Sequence, residues 1–206
     1  MIDYESRCAR YGHHKLSSVR AAVREDIVRF ATYSPEYRPE ITLKVSISIF
    51  LKPAILCMFC YRIAHYLHVR RWRRLGQFIH RFSLLVHKAN IPPQSCIGPG
   101  CFLGHCSGLT FHGTAGRNLT LLSLAVCCPQ PDCFGGSAAQ GPRLGDAVSV
   151  GALSVILGSV NIGDNVKIAP NVQFGADCPS DKIVFSAKFR HYSRPQGAGK
   201  SVGAED

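Results

Sequence analysis

The chain has 206 residues, 46% of them hydrophobic, and a formal net charge of +11 from 24 Lys and Arg against 13 Asp and Glu. That length holds one domain plus an appendage, and the charge points to anionic partners: nucleic acid, a membrane surface or a polyphosphate cofactor. The most apolar window, 45–61, is split by Lys52-Pro53 and is too short and broken for a membrane span; the polar opening MIDYESRCAR carries no secretory signal, so the ten cysteines are expected as thiols in a reducing, cytoplasmic setting.

In chain order, 16–31 reads as a helix, with Val19, Val23, Ile27 and Phe30 on one stripe, ended by Pro35 and Pro39. A second helix runs from about Ala54, with Ile55, Phe59, Ile63, Tyr66 and Leu67 on its apolar face. A third carries Leu75, Phe78, Ile79, Phe82, Leu85 and Val86. Between them stands Arg70-Arg71-Trp72-Arg73-Arg74. Residues 1–90 form a helical region whose wide apolar face is expected to pack on the following domain or on a neighbouring subunit, with a membrane-surface helix as the second reading.

From Ile91 the chain repeats every six residues. Apolar residues recur at Ile91, Ile97, Leu103, Leu109, Ala115 and Leu121, and in a second phase at Leu144, Val150, Ile156, Ile162, Ile168 and Phe174. The position four residues on is small or β-branched, as at Ser95, Cys101, Ser107, Ala125, Val148, Ser154 and Val166. This period fits neither an α-helix nor an alternating strand. It predicts a β-helix in which each hexad makes one flat side and three hexads close a coil, over 91–108, 109–126, 144–161 and 162–179. A Pro-, Gly- and Ser-rich stretch, 127–143, is expected to project from a corner as a loop. The β-helix domain is read as 91–190, and 191–206 as a polar, Gly-rich, mobile tail.

Three groups of residues carry a family resemblance. IGPGCFLGHCSG at 97–108 and LGD…VGA…ILGSVNIGDNVKIAPNV at 144–172 resemble the serine acetyltransferase-like branch of hexapeptide-repeat O-acyltransferases, as do REDIVRF at 24–30 and YRIAHYL at 61–67. The resemblance implies a mainly β fold, a left-handed parallel β-helix behind an α-helical N-terminal region. It implies a homotrimer, or a dimer of trimers, with acetyl-CoA as acyl donor held between subunits. By position it makes His105 the general base. A neutral imidazole there takes the proton of an attacking hydroxyl, and N–H donors stabilise the oxyanion without an acyl-enzyme. Asn90, where relatives carry Asp, is placed to orient His105. Gly151 and Ala152 match the pair whose backbone meets the pantetheine arm, and Lys188 and Arg190 are candidates for the cofactor phosphates. No metal is expected in this chemistry.

The chain departs from the family pattern at Gly104, where relatives have Asp, and at Gly141, where they have His. Pro170 stands where they have a donor N–H. These departures direct the expected acceptor toward a hydroxyl of a sugar, glycan or other small metabolite. Serine itself is the first alternative, and a non-catalytic trimeric scaffold or binding module the second.

Other features are set aside. Cys57-Met58-Phe59-Cys60 has no second pair at zinc-ribbon spacing and reads as buried thiols. Cys96, Cys101 and Cys106 are out of step with the hexad. Cys106 follows His105 but should point to the opposite face. Cys127, Cys128 and Cys133 fall in the expected loop without a nearby His. His65 and His68 lack a third ligand. The arginine run has no interleaved aromatics and no nucleic-acid module. It leaves a solvated surface, or one facing the inner membrane leaflet from the cytoplasmic side.

Overall fold

The protein is described from a computed structural model covering residues 9–33, 48–130 and 141–186. Three helices come first: α1 (Leu16–Tyr33), α2 (Pro53–Val69) and α3 (Arg73–His87). Pro53 begins α2, where its missing N–H costs nothing. α2 and α3 form a hairpin so close that a Cβ on Gly76 would lie 2.8 Å from the Ala64 carbonyl oxygen. Lys88 ends α3 in the left-handed conformation at φ 57°, its N–H donating to the Leu84 carbonyl.

Thirteen short strands follow among the described residues: β1 (Cys96–Ile97), β2 (Phe102–Leu103), β3 (Thr110–Phe111), β4 (Thr114–Ala115), β5 (Thr120–Leu121), β6 (Val126–Cys128), β7 (Arg143–Leu144), β8 (Ser149–Val150), β9 (Val155–Leu157), β10 (Asn161–Ile162), β11 (Lys167–Ile168), β12 (Gln173–Phe174) and β13 (Ile183–Val184). They make three parallel sheets, ordered β1-β4-β7-β10, β2-β5-β8-β11-β13 and β3-β6-β9-β12. Each sheet is one wall of a β-helix, as the repeat predicts, and its left hand is the one the resemblance implies. Ile97, Leu103, Phe111, Ala115, Leu121, Cys127, Leu144, Val150 and Ile156 fill the prism, each fully buried. At ~25 cal/mol per Å² of apolar surface, this column is the main source of the domain's cohesion.

The repeat departs from eighteen residues per coil in the first coil and again in the last, where Lys167 pairs with Ile183 sixteen residues on. Phe102 pairs with Thr120 eighteen residues on, but Thr110 pairs with Val126 sixteen residues on. Phe111, not Leu109, therefore takes the inward strand position, and Leu109 fills the corner that Ala125 fills in the next coil, with the Thr110 N–H donating to the Ala125 carbonyl. Two extra residues are thereby pushed into the corner between β2 and β3, and Ser107, a small position by the repeat, is exposed. The coil bounds shift accordingly. The interruption is also shorter at both ends than 127–143. β6 pairs with β9 through Cys127 and Cys128, so these two belong to a strand and not to the loop. Cys133 and the tail lie outside the described residues.

The helices dock on the open first coil, whose strands have a neighbour on one side alone. Arg62 of α2 donates to the carbonyls of Ile97 and Gly98 and pairs with Asp26 of α1 at 3.0 Å. Asp26 accepts the Cys101 N–H at 2.7 Å. The Tyr61 hydroxyl donates to the Ser95 carbonyl and accepts the Ile97 N–H. These bonds satisfy backbone groups that the missing preceding coil would have paired. Burial pushes the Asp26 carboxyl up, and the Arg62 charge and the Cys101 N–H oppose that push. Phe30 and Tyr33 of α1 add aromatic contact with Phe102, with ring centroids 5.7 and 4.5 Å apart.

All three helical faces differ from the sequence expectation. On α1, Asp26 is buried while Val23 and Ile27 line a surface groove with Phe59 and Ile63. On α2 the buried residues include Ala54, Cys57, Met58, Tyr61, Arg62 and His65, and of the expected apolar face Ile55 alone is buried. On α3 the buried residues are Gly76, Ser83 and His87, and Phe78, Phe82, Leu85 and Val86 are exposed. Close approach to α2 selects the small and polar face of α3 and leaves its apolar face outward. Among the described residues no helix is long and apolar enough to cross a membrane.

His80 of α3 and His112, at the corner after β3, are each held below the usual histidine range by burial; proximity to His112 and Arg81 lowers His80 further.

Asp26→Ala strands a guanidinium in the interface and is expected to cost about 3–5 kcal/mol; the measurement is a guanidinium chloride titration, and a loss below about 1 kcal/mol would contradict the latch. Because His80 and His112 are harder to protonate folded than unfolded, their contribution to stability is complete above the unfolded pKa of about 6.5. It is lost as pH falls through 6.5 toward their lower folded values. Unfolding midpoints should therefore drop between about pH 7 and pH 5, and His112→Asn should flatten that slope.

Candidate functional site

The two extra residues between β2 and β3 create the feature the site rests on. Gly104 is still in the ladder, its N–H donating to the Leu121 carbonyl at 2.9 Å. The chain then leaves the stack and returns at Gly108, whose N–H donates to the Lys88 carbonyl and whose φ of +73° is the left-handed value that suits glycine. His105 sits on this extended corner with its side chain exposed. Cys106 points the other way, half-buried against the main core, and burial pushes its thiol up. Adjacent side chains thus face opposite sides, as the sequence predicts, and no Cys–His pair forms here.

Asn90 lies beside the return limb of the same corner. Its N–H donates to the Leu109 carbonyl, its own carbonyl accepts the Phe111 N–H, and it bridges to Thr110. These main-chain bonds place Asn90 beside the start of β3, the strand that follows the corner bearing His105.

The corner repeats in each coil to form one edge of the prism. Residues 104–108 stand over 122–124: a Cβ on Gly104 would meet Leu122, and one on Gly108 would meet Leu124. Ser123 is thus the residue facing the His105 turn. Below it come 151–153, with the Leu153 N–H donating to the Ser123 carbonyl, and then 169–171, with the Asn171 N–H donating to the Ala152 carbonyl. Gly108, Leu124, Leu153 and Asn171 all close this corner with positive φ. Ala152 and His105 accordingly lie on the same edge, two coils apart, or roughly 10 Å at ~4.8 Å per coil.

Gly151 has a structural reason to be glycine. A Cβ there would lie 2.5 Å from the Pro170 nitrogen, and its N–H donates to the Ile168 carbonyl. That N–H is spent in the ladder, so half-buried Ala152 is the member of the pair that faces outward. Pro170 is exposed on the same edge. Lys188 and Arg190 lie outside the described residues. Gly141 is likewise enforced: a Cβ would fall 1.9 Å from the His112 carbonyl oxygen, so the backbone here has no room for the histidine that relatives carry.

The edge is flanked by apolar side chains in water, Leu124 at 46% and Leu153 at 55% exposure. Elsewhere the cysteines behave as core. Burial pushes the Cys57 thiol up to about 12, with nearby Cys106 adding to the shift, and raises Cys101 and Cys127 as well. The extended corner was missed in sequence because Leu109 satisfies the six-residue period and hides the slip. The signal that could have found it is Gly108 followed by two apolar residues spaced two apart, Leu109 and Phe111.

Residues 141–176 match the family model described as bacterial transferase hexapeptide (six repeats). The chain is 31% identical over 142 residues to a serine acetyltransferase of Helicobacter pylori, covering 68% of this chain and 81% of that protein. Among solved structures it resembles Entamoeba histolytica serine acetyltransferase isoform 3 in complex with cysteine, with a TM-score of 0.74 and 24% identity over 86% of this chain and 61% of that one. It also resembles the Neisseria gonorrhoeae serine acetyltransferase in complex with serine, with a TM-score of 0.69 and 22% identity over 82% of this chain and 67% of that one. The structural likenesses carry the fold, and the chain spans about three fifths of the length of the first. The sequence match over four fifths of the Helicobacter protein carries the family: this chain is a member of the serine acetyltransferase family of hexapeptide-repeat transferases.

Proposed function

We propose that the protein is an acetyl-CoA-dependent O-acetyltransferase whose favoured acceptor is the hydroxyl of serine. The observation that carries the reading is His105 on an exposed, extended corner at the end of the edge that holds Ala152. A donor whose pantetheine arm runs along that edge brings its thioester to the imidazole.

The chemistry asks little more of the chain. Imidazole nitrogen removes the proton from the acceptor hydroxyl as its oxygen attacks the thioester carbonyl. The tetrahedral oxyanion collapses, the C–S bond breaks, and the proton held on His105 returns to the departing thiolate. Asn90 anchors the return limb of the corner and so positions the base. Lys188 and Arg190 are assigned to the phosphates of the donor. The helical region to residue 90 braces the first coil, and the prism of 91–190 carries the chemistry.

Kinship favours serine over the sugar or glycan acceptor that Gly104 and Gly141 suggested. The relatives are named serine acetyltransferases, and one was solved with serine bound. Gly141 is explained by its close packing against the His112 carbonyl and so does not by itself argue for a larger acceptor. A trimer fits the exposed Leu124 and Leu153, which flank the proposed site and would be covered by a neighbouring chain.

With acetyl-CoA and serine the purified protein is expected to release free thiol faster than with sugars, and His105→Ala to lower turnover by about 10²–10⁴-fold. No release with any acceptor would leave a non-catalytic scaffold, and undiminished turnover in His105→Ala would remove the base. Light scattering should give three chains per particle, and Leu153→Asp should reduce that mass; a monomeric wild type would contradict the shared edge.

A further inference from the structure

A second cluster lies on the far side of the helical latch, away from the His105 edge. His13, on the turn before α1, His65 of α2 and Cys96 of β1 are 5%, 2% and 0% exposed, and their ligand atoms lie within 4.8 Å of one another. His65 Nδ1 is 2.8 Å from the Pro93 carbonyl oxygen, His65 Nε2 is 2.8 Å from His13 Nδ1, and Cys96 Sγ is 3.8 Å from the same His13 nitrogen. The carbonyl accepts but cannot donate, so it fixes the proton of neutral His65 on Nδ1 and leaves the Nε2 lone pair facing His13 and Cys96. An imidazole held by a backbone carbonyl on one nitrogen, with the other aimed at further donors, is the arrangement that supports metal ligation. Tyr11 stacks on His13 and Tyr61 on His65, with centroids 5.6 and 5.7 Å apart, so both rings are held in place.

We propose that His13, His65 and Cys96 form a buried zinc site that clips the turn before α1 to α2 and the first coil. One thiolate and two imidazoles suit a borderline-soft ion such as zinc, with water or a small exogenous ligand in the fourth position. Nitrogens 2.8 Å apart share a proton. Zinc–nitrogen bonds of ~2.0–2.1 Å in a tetrahedron set them ~3.4 Å apart, so His13 must retreat by about half an ångström. It can do so because it sits on a turn, held through the Gly12 N–H to the Ala9 carbonyl, and not within a helix. Binding moves the His13 proton from Nδ1 to Nε2 and releases the Cys96 thiol proton to solvent, so one proton leaves for each ion bound. The site is independent of the acyl-transfer edge and would brace the latch from which the coils begin.

The test uses the full chain, stripped with chelator and titrated with zinc and then with cobalt(II). The expected result is one ion per chain, about one proton released per ion near neutral pH, a zinc-dependent rise in the unfolding temperature, and a cobalt spectrum with tetrahedral intensity and charge transfer from a single thiolate. Cys96→Ser and His13→Ala should each weaken zinc binding at least 10-fold, while Cys106→Ser leaves it unchanged. If a variant fails to fold by circular dichroism, the wild-type cobalt spectrum decides alone. No stoichiometric zinc binding, a spectrum reporting two or more thiolates, or unweakened binding in folded Cys96→Ser would overturn the proposal.

Discussion

The parallel ladder is the constraint on which everything else depends. Each strand of the prism is two or three residues long, too short to be stable alone. Its backbone is satisfied by the coil above and the coil below. A coil that gains or loses residues must absorb the change at a corner, because a one-residue slip within a strand would turn its inward side chain outward. Between β2 and β3 the chain absorbs two extra residues in this way, and the following corner gives two back. The exposed turn bearing His105 is therefore a by-product of keeping Leu103 and Phe111 both inside.

The same ladder explains the helices. A β-helix must end, and its first coil presents unpaired N–H and C=O groups. Arg62, Asp26 and Tyr61 meet five of these, at Ser95, Ile97, Gly98 and Cys101. A guanidinium with its fork of donors matches two successive carbonyls and a carboxylate together, which an apolar side chain could not do. This is why the buried face of α1 centres on an acid and not on its apolar stripe. The face of α3 that carries Phe78 and Phe82 is left exposed.

The repeat was legible because it is physical: inward positions must be apolar and corner positions small. Eleven of the inward residues expected from the period occupy inward strand or corner positions, including Leu109, displaced by two. The helix spans were legible from their periodicity. Which helical face packs was not, because hydrophobicity predicts burial against any partner, whereas contact across Gly76 and the Asp26–Arg62 pair depends on three-dimensional proximity. His105 stood out by the family resemblance of the segment 97–108, but the slip that exposes it was masked by Leu109. His65 was noticed for its spacing to His68; its actual companions, His13 and Cys96, are far apart in sequence and meet only through the fold.

The proposed reading puts acyl transfer at His105, with the pantetheine arm laid against Ala152 two coils away. On that reading the acceptor and the donor meet at the corner of the prism where Leu124 and Leu153 are exposed. The most direct measurement is a crystal structure of the protein with bound coenzyme A. The account predicts the pantetheine arm along the edge of 122–124 and 151–153, its sulfur in contact distance of the His105 ring. Coenzyme A on another edge, or with its sulfur remote from His105, would contradict it.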